Sequence, residues 1–216
     1  MTMTTETFAS VALGLCVVGL VMTFGLRSWV HRRTTGDSGF RGLSGRPGSA
    51  PWWGGVLFTG ALALTTVGLV LAVTGTTPPI DVPAGLRWTG LVVAVSGFAL
   101  VLLAQSGMGR SWRIGVDHAE RTELVTVGLF ALARNPFFTA MGLALGGLVL
   151  MVLTALTFAG LVCLVVAVQV QVRVVEEPYL LASHAEAYAR YAARVGRFIP
   201  GIGRLHTTHL RGAEGR

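Results

Sequence analysis

The stretch Phe137–Val172, FFTAMGLALGGLVLMVLTALTFAGLVCLVVAVQVQV, has no charged side chain from end to end. A helix crosses a bilayer core with about 20 apolar residues, so this run is too long for one crossing. It suits two helices in a tight hairpin turning near Leu153–Thr157, each arm about 17 residues, the short end of the spanning range. Gly142 and Gly146 fall in a GxxxG pattern inside the first arm. That pattern is either a surface for close helix approach in lipid or simply the usage of a Gly-rich chain.

Composition carries the hairpin reading to the whole chain. Of 216 residues, 52% are hydrophobic and 12% charged, with mean hydropathy +0.66; soluble domains are closer to about 25% charged. The net charge of +7 comes with no lysine. The arginines stand between apolar segments rather than along one stripe, which argues against nucleic-acid binding. Cys16 and Cys163 lie inside apolar runs with no Cys or His at ligand spacing, so neither a disulfide framework nor a metal site is expected.

Three further spans precede the hairpin. The first, Thr7 to Val30, closes on RSWVHRR; the start MTMTTETF has no basic n-region, so a retained anchor is expected rather than a signal peptide. The second, Trp52 to Thr74, enters through an interface-type Trp pair. The turn-rich loop TTPPIDVPAG separates it from the third, about Leu86 to Ser106. The fold class is therefore all-α and polytopic, with about five transmembrane helices. Residues 1–106 form three helices and their loops, 107–200 a core with the hairpin and an amphipathic helix, and 201–216 a flexible tail.

Arginine placement then sets orientation. Arg27, Arg32, Arg33, Arg41 and Arg46 follow span one; Arg110, Arg113, Arg121 and Arg134 follow span three; seven more lie from Arg173 onward. The loop Gly75–Gly85 has none. Five spans with the N-terminus outside put every Arg-rich segment in the cytoplasm. The Arg-only, Ala/Gly/Val-rich usage fits a bacterial product in the inner membrane.

Beyond Val172 the chain changes character. EEPYLLASHAEAYARYAARVGRFIP, Glu176–Pro200, has helical spacing, with His184, Tyr188, Tyr191, Val195 and Phe198 on one face. Arg190, Arg194 and Arg197 fall on another, with Glu186 spaced to pair with Arg190. Pro178 suits a first helical turn and disfavours helix at Glu177, so a break or new start belongs there. The segment reads as an interfacial helix on the cytoplasmic face.

Phosphate-loop, dinucleotide, nucleophile-elbow and HExxH motifs are all missing. What the chain has instead is a pair of motifs in order. ELVTVGLFALARNPFF, Glu123–Phe138, precedes the hairpin, and RVVEEPYLLASHAEAYARYAARVGRFIP, Arg173–Pro200, follows it. Together with GRSWRIGVD upstream they resemble the isoprenylcysteine carboxyl methyltransferase-like family of integral-membrane methyltransferases, which also includes phospholipid methyltransferase-like members. The resemblance covers about Gly107 to Pro200.

The resemblance implies S-adenosylmethionine bound at the cytoplasmic face. It puts Leu124, Val125 and Gly128 beside the adenine and Arg134 at the cofactor carboxylate. Asn135, Pro136, Phe138, Tyr188, Tyr191 and Arg197 would complete the cofactor site. Asn135 stands where His is frequent and Phe138 where Tyr is usual, so neither serves as a general base here; His184-Ala185 replaces a usual Phe-Gly pair. Methyl transfer from a sulfonium is an in-line displacement that needs a positioned nucleophile in a dry site. Arg173 or Arg197 suits an anionic acceptor. Glu176 and Glu177 can bind the cofactor amino group, polarise an acceptor or orient Arg173. Neighbours on a helix point about 100° apart, and Glu176 is the one expected to face the site.

The expected function is methylation of a lipophilic small molecule or a lipid-linked carboxylate, thiol or amine, drawn from membrane lipid. The eukaryotic family substrate does not transfer to a bacterial chain. Two other readings remain: an NADPH-dependent reductase resembling the steroid 5α-reductases, and a catalytically silent membrane scaffold. A transporter is disfavoured, because no ionisable residue falls mid-span as a relay requires.

Overall fold

The computed structural model describes residues 4–36, 45–108 and 124–205. Arg41, Arg110, Arg113, Arg121, Glu123, the GRSWRIGVD segment and the tail from residue 206 lie outside the described residues. Helix α1 (Thr5–Leu20) begins at Thr4, whose hydroxyl accepts from the Thr7 N–H. It runs through a π-turn, Val21–Leu26, into α2 (Arg27–Thr35), which stops at Gly36 in the left-handed region. Pro51 sits in the first turn of α3 (Ala50–Val73), where its missing N–H costs nothing. After α4 (Ala84–Met108) and a short 3₁₀ turn at Gly128–Ala131 come the hairpin helices α5 (Pro136–Met151) and α6 (Ala155–Val170). A second π-turn, Gln171–Glu176, leads to α7 (Glu177–Arg194).

Among the described residues, four helical segments are long and apolar enough to cross a membrane: Thr5–Thr34, Ala50–Val73, Ala84–Met108 and the one that starts at Ala155. The fifth apolar helix, α5, has 16 residues, about 24 Å at 1.5 Å per residue. The hairpin turn is Val152–Thr154, a little earlier than expected. Thr154 fixes it, because its hydroxyl accepts from the Thr157 N–H while Thr157 Oγ1 accepts from the Thr154 N–H, a reciprocal cap. The Ile80 N–H donates to Leu153 O and ties the α3–α4 loop to this turn. At the same end Arg87 donates to Asp81 at 2.6 Å and to Thr5 at 2.7 Å.

The two arms pack chiefly on different partners, α5 on α4 and α6 on α3. In lipid there is no hydrophobic drive between helices, so contact depends on close packing of small residues. The α4–α5 seam is Gly90, Ala94 and Gly97 against Ala140, Ala144 and Gly147. A Cβ added at Gly90 would stand 2.7 Å from Gly147 O. Gly68 and Gly160 do the same work between α3 and α6. Gly142 and Gly146 do not: a Cβ at either meets nothing within 4 Å. The GxxxG pattern is thus glycine usage, and the close approach belongs to Gly147, one position along.

The new start expected at Pro178 is present: a π-turn, Gln171–Glu176, joins α6 to α7, and Pro178 sits in the first turn of α7, a position that suits its missing N–H. The backbone kink itself comes later, at Ala185, with φ 39° and ψ −117°. It falls where the resembling family usually has glycine, the residue that takes positive φ without a Cβ penalty.

Candidate functional site

The site gathers where the start of α5 meets the chain that follows α7. Residues 133–135 run beside 196–198: Ala133 and Gly196 form a parallel bridge, and the Arg134 and Asn135 N–H groups donate to Gly196 O and Arg197 O. Asn135 Nδ2 also donates to Arg197 O, and Thr139 Oγ1 to Phe198 O at 2.8 Å. Gly196 is required, because any Cβ would collide with the carbonyls of Ile199 and Ile202. Residues 201–205 fold back as well. The Arg197 N–H donates to Ile202 O, the Leu205 N–H to Ala192 O, and Leu205 packs on Tyr188 and Tyr191.

This backbone hook holds a buried ion cluster. Arg197 donates Nε to Glu177 Oε1 at 2.7 Å and Nη2 to Oε2 at 2.8 Å. Arg134 Nη2 lies 3.1 Å from the same Oε1 and donates to Gly203 O at 2.7 Å. Arg134 Nη1 donates to the Tyr188 hydroxyl at 3.3 Å, and its guanidinium lies 5.9 Å from that ring's centre. Arg134 and Glu177 are 5% and 6% exposed, so the charges are nearly out of water. The Glu177 hydrogen bond raises the Arg197 pKa above its ordinary value, against the opposing effect of burial. Two guanidiniums share one carboxylate, and Arg134 Nε is buried with no hydrogen-bond partner among the described residues. The cluster has one positive charge and one donor in excess.

Arg134, Glu177, Tyr188 and Arg197 therefore meet. Tyr191 joins them through its ring, 6.1 Å from that of Tyr188, and its hydroxyl donates to Phe130 O at 2.6 Å. That bond pins the 3₁₀ turn that opens at Gly128, whose φ of +63° uses glycine's freedom. Leu124 packs on the tyrosines; Val125 is half-buried and Pro136 buried. Phe138 faces the bundle, with rings of Phe137 at 5.4 Å and Phe58 at 6.4 Å. Of the two glutamates it is Glu177 that turns to Arg134 and Arg197, whereas Glu176 accepts from Gln171 Nε2 at 3.3 Å. Arg173 is exposed, and no contact joins it to the ion cluster. Arg197 lies inside the cluster rather than on the outer face with Arg190 and Arg194, because the helix ends at Arg194 and the chain doubles back.

Sequence reasoning missed the main-chain partners, Gly203 O and Phe130 O, and the side chains of Thr139 and Gln171. Backbone acceptors leave no residue-type signature. The GxG at Gly201–Gly203, both glycines at positive φ, was the available sign of a structured turn.

Residues 86–187 match the family model described as phospholipid methyltransferase. The match opens in α4 and closes in α7, taking in Arg134, Glu176 and Glu177 but stopping just before Tyr188. Among curated proteins, none matches the chain.

Proposed function

We propose that this membrane protein, whose residues 86–187 carry the phospholipid methyltransferase pattern, takes a methyl group from S-adenosylmethionine at the cytoplasmic face and passes it to a lipophilic acceptor. The acceptor class is a lipophilic small molecule or a lipid-linked carboxylate, thiol or amine. The observation that carries the reading is the excess of the ion cluster: two guanidiniums on one carboxylate, with Arg134 Nε buried and unpaired. Such a cluster is completed by an anion, and the carboxylate of the cofactor's methionine end is one. A lone buried donor is costly, about 1–3 kcal/mol, and more when charged, so a site that leaves one open in the free protein favours binding.

When bound, the cofactor supplies an electrophilic methyl group on a sulfonium. The chain's own residues hold and orient. Arg134 would hold the cofactor carboxylate, while Glu177, Tyr188 and Gly203 O fix the plane of its guanidinium. Leu124, Val125 and the turn that opens at Gly128 would border the adenine. Glu176, off the ion cluster and bonded to Gln171, is free to face the cofactor amino group or the acceptor. Phe137 and Phe138 keep the membrane side of the site dry. An anionic acceptor needs positioning rather than a strong base, which suits a site whose Asn135 and Phe138 do not titrate.

The test is isothermal titration of purified protein with S-adenosylhomocysteine and with NADPH, paired with radiolabel transfer from S-adenosylmethionine in membranes. Binding of the former and a labelled lipid-extractable product support the proposal. Binding of NADPH alone would overturn it in favour of a reductase. Cofactor binding without any labelled product would leave the silent scaffold.

A further inference from the structure

Among the described residues outside the spanning helices, five large apolar side chains are conspicuously open: Ile80 at 60%, alone at the hairpin-turn end, and Val127 at 72%, Leu132 at 57%, Ile199 at 54% and Ile202 at 64% exposed. The last four come from two segments that the fold brings to one place. Leu132 immediately precedes the bridge Ala133–Gly196, and Ile199 and Ile202 form the turn on which Arg197 N–H closes. Their position is fixed by their neighbours. Phe198 points into the core of the spanning bundle with Phe137 and Phe138, and Thr139, in the first turn of α5, donates to Phe198 O. Both segments therefore sit at the α5 end of the bundle, where hydrocarbon gives way to headgroups.

We infer that this rim, Val127–Leu132 with Ile199–Ile202, dips into the lipid surface. Clustered open apolar side chains call for an occupant, and three observations favour lipid over another protein. The rim is continuous with the helices that cross the bilayer. Exposed Arg194 and Arg204 flank it, placed to reach lipid phosphates while their neighbours stay in the acyl boundary. The contrast with the outer side of α7 is the third: there Glu186 and Arg190 form a solvated ion pair at 2.7 Å, 73% and 66% exposed. The candidate site thus has one wall in water and one in lipid. The inference concerns membrane placement and stands apart from methyl transfer.

Spin labels on single cysteines test it. Cysteines at positions 127, 132, 199 and 202 replace exposed residues, in a Cys16→Ala, Cys163→Ala background, with a fifth label at Arg190. The labelled proteins go into lipid nanodiscs, and their unfolding profiles are compared with the parent to confirm the fold. Power saturation then reads collisions with oxygen, which partitions into lipid, against a water-soluble nickel chelate. The expected oxygen-to-nickel ratio is several-fold higher at the four rim positions than at Arg190. A ratio at the rim equal to that at Arg190 would place it in water and overturn the inference. So would low access to both reagents with dipolar broadening that disappears on dilution with unlabelled protein, which would mean that a second copy covers the rim.

Discussion

Arg197 grips Glu177 side-on, with two parallel hydrogen bonds of 2.7 and 2.8 Å, and leaves Arg134 to share one of the same oxygens. The carboxylate is thus the only anion in contact with both guanidiniums among the described residues. Replacing it removes the compensation and leaves Arg134 buried and Arg197 half-buried. Glu177→Gln is expected to destabilise the protein by about 3–5 kcal/mol, the usual cost of stripping one partner from a buried pair. Thermal unfolding in detergent should show a large loss, whereas Glu176→Gln, which removes one bond to Gln171, should shift the midpoint far less. Equal losses would mean that the two glutamates are not differentiated as described.

Arg134→Lys keeps the charge and loses the fork. An ammonium cannot serve Tyr188, Gly203 O and Glu177 together and still face a ligand. The affinity for S-adenosylhomocysteine is expected to fall at least about tenfold, equivalent to roughly 1.4 kcal/mol, while exposed Arg173→Gln leaves it unchanged. Titration calorimetry of the two variants reads the difference.

Ala185 takes a backbone conformation that suits glycine. Ala185→Gly is expected to raise stability by about 1 kcal/mol, the scale on which relieving such strain outweighs the extra freedom of the unfolded chain. A lower unfolding midpoint in this variant would show that the kink is not strained.

The helix seam gives a paired test. Gly97→Val and Gly147→Val put side chains onto the facing backbones of α5 and α4 and should abolish recovery of folded protein by size exclusion. Gly142→Ala and Gly146→Ala fill open space and should be neutral or stabilising by up to about 1 kcal/mol each, from helix propensity alone.

These tests also mark where the sequence was legible. Apolar run lengths gave the spans and the hairpin because bilayer thickness leaves little choice of length. Two motifs on either side of the hairpin named Arg134, Glu177, Tyr188 and Arg197, which the fold brings together. The choice between Glu176 and Glu177 was not readable, because a π-turn shifts the rotation of everything after it and has no residue signature. Pro178 marked the new helical start, but not that a wide turn would join it to α6 without a gap. Gly142 and Gly146 could not be decided from sequence, because a spacing of four says that two residues share a face, not what that face meets.

The hook between residues 133–139 and 196–203 has a consequence for how the protein is made. Arg134 is synthesised 69 residues before the carbonyl of Gly203 that orients it, and the whole hairpin must be threaded into the membrane in between. A nascent chain halted after α6 would have its crossings in place and yet lack Arg197, Tyr188 and the closing turn. The ion cluster can therefore close only once Gly203 has been made, after the hairpin has been threaded, and a chain stalled before that point would be anchored with Arg134 still unclosed.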